Sequence, residues 1–329
     1  MVSMTHDSAG AAGTSAELPV TRASAGIGLA LASAVSFALS GALASPLLDS
    51  GWSAGAVVLV RIGLAALVVL PFGIAAVHGR WHLVRAAAPT IALYGVLAVA
   101  GAQFCYFSAV QTMEVGPALL IEYTAPAAVV AWLWLRHGQR PGPLTLAGAA
   151  VAALGLLLVL DLFSGADFDV VGAAWSLGAM VGAAAYFLIS ADDTTGLPPM
   201  AMAGGGLLVG GVALALLGLV GALPMRTATE AVTYAGLDVD WWVPLLLLGL
   251  VTAALAYVTG IAAARRLGSR LASFVALSEV VAAVLWAWAL LGQLPSPVQF
   301  VGGALILVGV IGVKLGEPRL AAESAEVHG

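Results

Sequence analysis

From Gly26 onward the chain is a near-unbroken succession of apolar runs, each about twenty residues long, separated by short polar or Gly/Pro-containing stretches. A run of that length crosses a ~30 Å hydrocarbon core as a helix. Ten runs, near 26–46, 54–76, 88–110, 116–135, 143–161, 171–190, 199–222, 242–263, 269–290 and 297–316, each predict one. Proline placement agrees with the cuts. Pro89, Pro117, Pro143, Pro199, Pro244 and Pro297 stand at helix starts, where a missing N–H costs nothing. Pro126 falls inside a run. Trp52, Trp81, Trp132, Trp134, Trp241, Trp242, Trp286 and Trp288 gather near run ends, as an interfacial aromatic belt places them. Residues 1–24 are small and polar and lack the basic start and apolar block of a cleaved leader, so they predict a disordered tail; 317–329 form a second tail.

Composition turns this pattern into a class. The chain is 61% hydrophobic and 9% charged, where a soluble domain carries roughly a quarter charged residues. That excludes a water-soluble enzyme and a disordered scaffold. With 12 basic against 17 acidic residues there is no polycationic surface for nucleic acid. One cysteine, Cys105, excludes an intrachain disulfide and a cysteine-built metal site. Gly26-Ile-Gly28 is too short for a nucleotide fingerprint, and no phosphate loop, Gly-x-Ser-x-Gly or metal-spaced His/Glu set occurs. No cofactor is expected, and all five histidines fall outside the runs. One lysine against eleven arginines, no asparagine and 40 glycines resemble the output of a GC-rich bacterial genome.

Charge placement sets an expected orientation. With the amino terminus inside, ten of the 12 basic residues are cytoplasmic, Arg226 alone is outside, and Arg61 lies within a span. The outer loops carry acids such as Asp49, Glu114, Asp169 and Asp238. Both termini are then cytoplasmic, in the inner membrane of a bacterium.

The chain also repeats itself. Shifted by 154 residues, 95–159 superposes on 249–313 without a gap, and 17 of 65 positions match. The clearest stretch pairs Trp132-Leu-Trp134 and Gly138-Gln139-Arg-Pro141 with Trp286-Ala-Trp288 and Gly292-Gln293-Leu-Pro295. Two halves, 26–161 and 171–316, therefore hold five spans each. An odd number per half predicts opposite orientations, an architecture of transporters that bind substrate between the halves near the midplane.

These residues resemble the EamA family of the drug/metabolite transporter superfamily. Arg61-Ile-Gly-Leu-Ala-Ala-Leu-Val-Val-Leu-Pro71 is similar to the family's second span. Gly138-Gln139 and Gly292-Gln293 stand where the family usually has Gly-Glu. Ser278-Glu279-Val280 keeps the acid of a frequent Leu-Glu-Pro triplet without its proline. Glu122-Tyr123-Thr124-Ala125-Pro126 resembles the same stretch of bacterial amino-acid exporters. The resemblance implies an all-α integral membrane protein of ten helices, in a 5+5 inverted repeat, exporting a small metabolite.

Away from the span ends, the only charged side chains in the spans are Arg61, Glu122 and Glu279. A charge at such depth costs at least ~2.5 kcal/mol and must face protein or water. At 1.5 Å per residue, Arg61 lies ~10 Å and Glu122 ~9 Å below the outer boundary, while Glu279 lies ~15 Å from the inner one. Arg61 is expected to hold a substrate carboxylate or to pair with Glu122. Either acid is a candidate for a substrate amine or a coupling proton, and an Arg61–Glu122 bridge that only joins two helices is the structural alternative. Pro126, one turn beyond Glu122, either opens a broken helix at the binding site or makes a tolerated kink. Gln103 and Tyr106 (i, i+3), Tyr123, Tyr186, Thr259, and Tyr257, which superposes on Gln103 in the repeat, complete the candidate substrate cavity.

The expected function is alternating-access export of an amino acid or derivative by a monomer or homodimer, in contact with membrane lipid and driven either by a gradient, with Glu122 or Glu279 as candidate proton carriers, or by downhill flow of the substrate. An importer, a lipid or drug-like solute translocator of the same fold, and a channel-like protein remain open; an enzyme does not fit.

Overall fold

The structure is a computed structural model and describes residues 18–138, 141–159, 169–190, 195–260, 262–263, 266, 275 and 278–316. The tail 317–329, most of the 1–24 segment and the connections at 160–168, 191–194 and 267–274 lie outside the described residues. Helices follow the apolar runs: α1 Leu18–Asp49, α2 Ala54–Ala76, a short α3 Trp81–Ala86, α4 Ala88–Val110, α5 Val115–Glu122 and α6 Ala125–His137. The first half closes with α7 Pro143–Val159, and the second holds α8 Val170–Ser190, α9 Pro199–Leu219, α10 Trp242–Gly260, α11 Ser278–Leu291 and α12 Pro297–Gly316. Five of these, α2, α4, α9, α10 and the Ser24–Asp49 part of α1, are long and apolar enough to cross a membrane, and α7, α8, α11 and α12 are shorter apolar helices.

Three departures from the sequence pattern are informative. First, α1 begins at Leu18, inside the segment that composition assigns to a disordered tail. Leu18, Pro19 and Val20 form a small apolar start, with a proline in the first turn, where it is tolerated. Second, the run 116–135 is not one helix but two, α5 and α6, with a turn at Tyr123–Thr124 between them. Third, a β-hairpin, β1 Val232–Tyr234 and β2 Leu237–Val239, interrupts the all-α expectation in the α9–α10 connection. Its Ala235-Gly236 turn has positive φ at both residues, 50° and 81°. That geometry suits the twist of a two-residue hairpin.

Repeat-related helices pack in pairs. Helix α7 runs antiparallel to α12 at backbone contact distance: a Cβ at Gly148 would meet the Val313 amide nitrogen at 2.5 Å, and one at Gly155 the Gly302 carbonyl at 2.5 Å. Gly148 and Gly302, like Gly155 and Gly309, are related by the offset of 154, so the contact is two-fold symmetric. Small residues are the means by which membrane helices approach this closely. Helices α2 and α9 form the other antiparallel pair, with Gly73 against Met200, Gly204 against Leu70 and Gly211 against Ile62.

The hairpin straps one end of the bundle. At the α2 corner the Trp52 indole donates to the Ala228 carbonyl (2.8 Å), and the Ser53 hydroxyl donates to Pro224 (2.6 Å) and accepts from the Arg226 amide (3.0 Å). Trp52 also stacks on Trp241. Beyond this corner the strap makes single bonds: the buried Tyr234 hydroxyl to the Leu43 carbonyl of α1 (2.6 Å), and the Ala235 amide to the Leu290 carbonyl of α11 (2.9 Å). Burial pushes the Tyr234 phenol above its ordinary pKa, so it remains a donor at physiological pH.

Candidate functional site

The break between α5 and α6 follows from the sequence. Pro126 has no N–H to offer the carbonyl of Glu122, its i−4 partner, so the helix cannot run through. Instead the Thr124 hydroxyl donates to the Ile121 carbonyl (2.7 Å) at the turn. The other half repeats this device: the Ser278 hydroxyl donates to the Val275 carbonyl (2.6 Å), and both residues of the pair are offset by 154. Each acid lies next to one of these hydroxyl bonds, Glu122 ending α5 and Glu279 in the first turn of α11. Pro126 itself lies at the second position of α6, which makes it the source of the break.

Helices α5 and α11 pack together and bring the acids into one cluster. The Tyr123 hydroxyl donates to Glu279 Oε2 at 2.7 Å, a hydrogen bond between the two halves. Glu122 feels the charges of Glu279 and Arg61, and Tyr106 lies within reach of all three. Glu122 is half-buried and accepts no hydrogen bond among the described residues. An unpaired carboxylate at such depth is stable only where water, a proton or a cationic solute meets it.

Arg61 is placed differently from the expected Arg61–Glu122 pair. Equal depth does not set equal azimuth, and the guanidinium turns towards α10. Its Nη2 donates to the Thr252 carbonyl at 3.0 Å, its Cζ sits 5.3 Å from the Phe107 ring centroid, and its buried Nε has no acceptor among the described residues. The residue is 3% exposed. No ion pair joins it to Glu122 among the described residues.

The Thr252 carbonyl is available because α10 is wound wide there. Leu250–Leu255 form a π-helix, and the Ala256 amide bonds to the Val251 and Ala253 carbonyls rather than to Thr252, its α-helical partner. Helix α4 carries the same feature at Tyr94–Gly101, where the Ala102 amide bonds to Leu97 and Val99 and passes over Ala98. Ala102 and Ala256, and Ala98 and Thr252, are repeat-related. Wide turns of this kind are uncommon and concentrate at functional sites.

The remaining candidates divide. Gln103 and Tyr257, equivalent in the two halves, come close together, and Gln103 Oε1 is buried without a hydrogen-bond partner among the described residues. The Tyr257 ring also stands edge-on to Phe37. Tyr106 is buried beside Phe107, towards the acids. Tyr186 is tilted against Tyr94 at 5.8 Å and is 37% exposed, at the margin of the cluster. The Thr259 hydroxyl is already committed to the Leu255 and Ala256 carbonyls of its own helix (2.8 and 3.2 Å). Four participants had no sequence signal as site residues: Thr252 and Phe107, which hold Arg61; Ser33, whose hydroxyl donates to the Ala256 carbonyl (2.8 Å); and Ser278. Only Ser278 was findable, from its repeat match to Thr124. Among the described residues no group of three or more His, Cys, Asp or Glu is placed to share a metal ion.

Comparison with known proteins places the chain. The EamA-like transporter family matches it twice, over residues 24–161 and 170–315, which together span both halves. No curated protein sequence matches. One of 11 matching solved chains, described only as the crystal structure of a protein, aligns with a TM-score of 0.58 at 20% identity, covering 92% of this chain and 98% of that one. That likeness concerns the fold alone.

Proposed function

Because the chain belongs to the EamA-like transporter family, a family of multi-pass membrane transporters, we propose that it is a secondary transporter that exports a small metabolite, an amino acid or derivative, by alternating access. The observation that carries this reading is the Tyr123–Glu279 hydrogen bond, which joins the two halves at the residue next to Glu122. Glu122, without a hydrogen-bond partner, is the seat for a substrate amine or a coupling proton. Tyr106, Gln103 and Tyr257 supply polar contacts around it, and Arg61 offsets part of the negative charge from behind.

We further propose ten crossings with both termini in the cytoplasm of a bacterium, and halves of opposite orientation. The ten-to-one distribution of basic residues supports the first. The antiparallel α7–α12 and α2–α9 pairs support the second. In this orientation the β-hairpin lies outside and ties α1, α2 and α11 together, the closure expected of a carrier open to the cytoplasm.

The test is counterflow in proteoliposomes with a panel of labelled amino acids, with and without an imposed pH gradient. Saturable exchange that Glu122→Gln lowers by about tenfold or more, the order expected for loss of a charge-assisted contact, supports a carrier with its site at the α5–α6 break. If Glu122→Gln and Glu279→Gln both leave the pH dependence intact, proton coupling through these acids is wrong. Flux that never saturates points to a channel; no exchange of any amino acid moves the cargo to a drug-like or lipid solute.

A further inference from the structure

The two wide turns are equivalent in sequence position and differ in what faces the carbonyl that each leaves behind. In α4 that carbonyl belongs to Ala98, to which Arg61 makes no hydrogen bond. Helix α9 instead packs directly on this turn through glycine: a Cβ at Gly95 would meet the Gly206 carbonyl, and one at Gly210 the Gly95 carbonyl, both at 2.8 Å. In α10 the bypassed carbonyl is that of Thr252, and the Arg61 guanidinium supplies the donor that the Ala256 amide has withdrawn. One residue turn further, the Ser33 hydroxyl covers the Ala256 carbonyl.

We propose that Arg61 is a positioning residue for α10: it stabilises the wide turn by capping the Thr252 carbonyl and thereby sets Tyr257, five residues on, against Gln103. The geometry makes the side chain suited to this. Arginine presents several donors in one rigid plane, and only Nη2 is engaged here, while Nε stands idle. At 3% exposure the guanidinium offers almost no surface to a solute. Were the extra residue of the turn absorbed into an α-helix, everything beyond it would rotate by about 100° and shift by about 1.5 Å, carrying Tyr257 off Gln103. Arg61 opposes that rotation in one half only. This assignment concerns the helix and is independent of the cargo.

Hydrogen exchange followed by mass spectrometry on the full chain in phospholipid nanodiscs tests it, because the repeat supplies an internal control. Arg61→Met keeps most of the bulk and removes the donor and the charge. It is expected to raise exchange in the peptide 250–260 by about tenfold, the order of a lost bond to a charged donor, and to leave 96–106 unchanged. Arg61→Lys, which keeps one donor on a shorter reach, is expected to fall between wild type and Arg61→Met. If Arg61→Met does not fold, Arg61→Lys decides alone by the same split between the two peptides. No change in 250–260, or an equal rise in both peptides as general loosening would produce, overturns the proposal.

Discussion

The turns at Tyr94–Gly101 and Leu250–Leu255 have the same place in their halves and the same skipped hydrogen bond, but they are held by different physics. The first is held by shape. Helix α9 lays Gly206 and Gly210 on it, and backbone meets backbone with no room for a methyl group. The second meets side chains rather than backbone: Leu64 of α2 closes on Gly249, and Arg61 of the same helix caps the bypassed carbonyl. Interlocked backbone surfaces resist displacement in every direction, whereas a single guanidinium can release one carbonyl and take another. The two halves are therefore similar in architecture and unequal in mechanics, and α10 is the more readily remodelled of the pair.

The sharpest way to break this comparison is to attack the shape-held turn. A Cβ at Gly206 would run into the Tyr94 ring, so Gly206→Leu should lose about 3 kcal/mol or more, at or above the usual overpacking cost, read as a large fall in thermal unfolding temperature in detergent. Arg61→Met should cost less, about 1–3 kcal/mol, the penalty for leaving the buried Thr252 carbonyl without its charged donor; the same melts check it. A result in the opposite order, with Arg61→Met unfolding the protein and Gly206→Leu tolerated, would reverse the roles of the two turns. Smaller effects sharpen the picture. Tyr234→Phe removes the strap's bond to α1 and should cost about 1 kcal/mol, with faster exchange at 232–239 while the Ser53 corner stays protected. Ser33→Ala should cost about 0.6 kcal/mol, typical of a hydrogen bond between membrane helices, and its exchange signature should appear at 250–260 alone.

How much of this was legible depends on the kind of interaction. Apolar runs place the helices well because crossing a bilayer demands length and hydrophobicity, both of which are written residue by residue: α2, α4 and α12 begin and end where the runs do. The α5–α6 break was half legible, since Pro126 announces a lost bond and not where the chain turns. The hairpin was missed although Val232-Thr233-Tyr234-Ala235-Gly236-Leu237 alternates around a turn, because six residues between long apolar runs look like any connection. The wide turns have no such signature; Gly95 and its equivalent Gly249 mark a close contact and say nothing of hydrogen-bond register. Arg61 was recognised as a candidate for the right reason, burial of a charge, and its partner was invisible because a main-chain carbonyl carries no residue letter.

The α7–α12 contact carries an implication for ancestry. Gly148 and Gly155 meet the region of Gly309 and Gly302, which are their own counterparts. Two separate copies of one five-helix unit would make this same contact as a self-complementary interface, in which every substitution is present twice. In such a pair an arginine at the position of Arg61 would have to serve both turns or neither. Joining the copies in one chain removes that obligation, and a guanidinium in α2 opposite glycines in α9 is a difference that only a fused protein can hold.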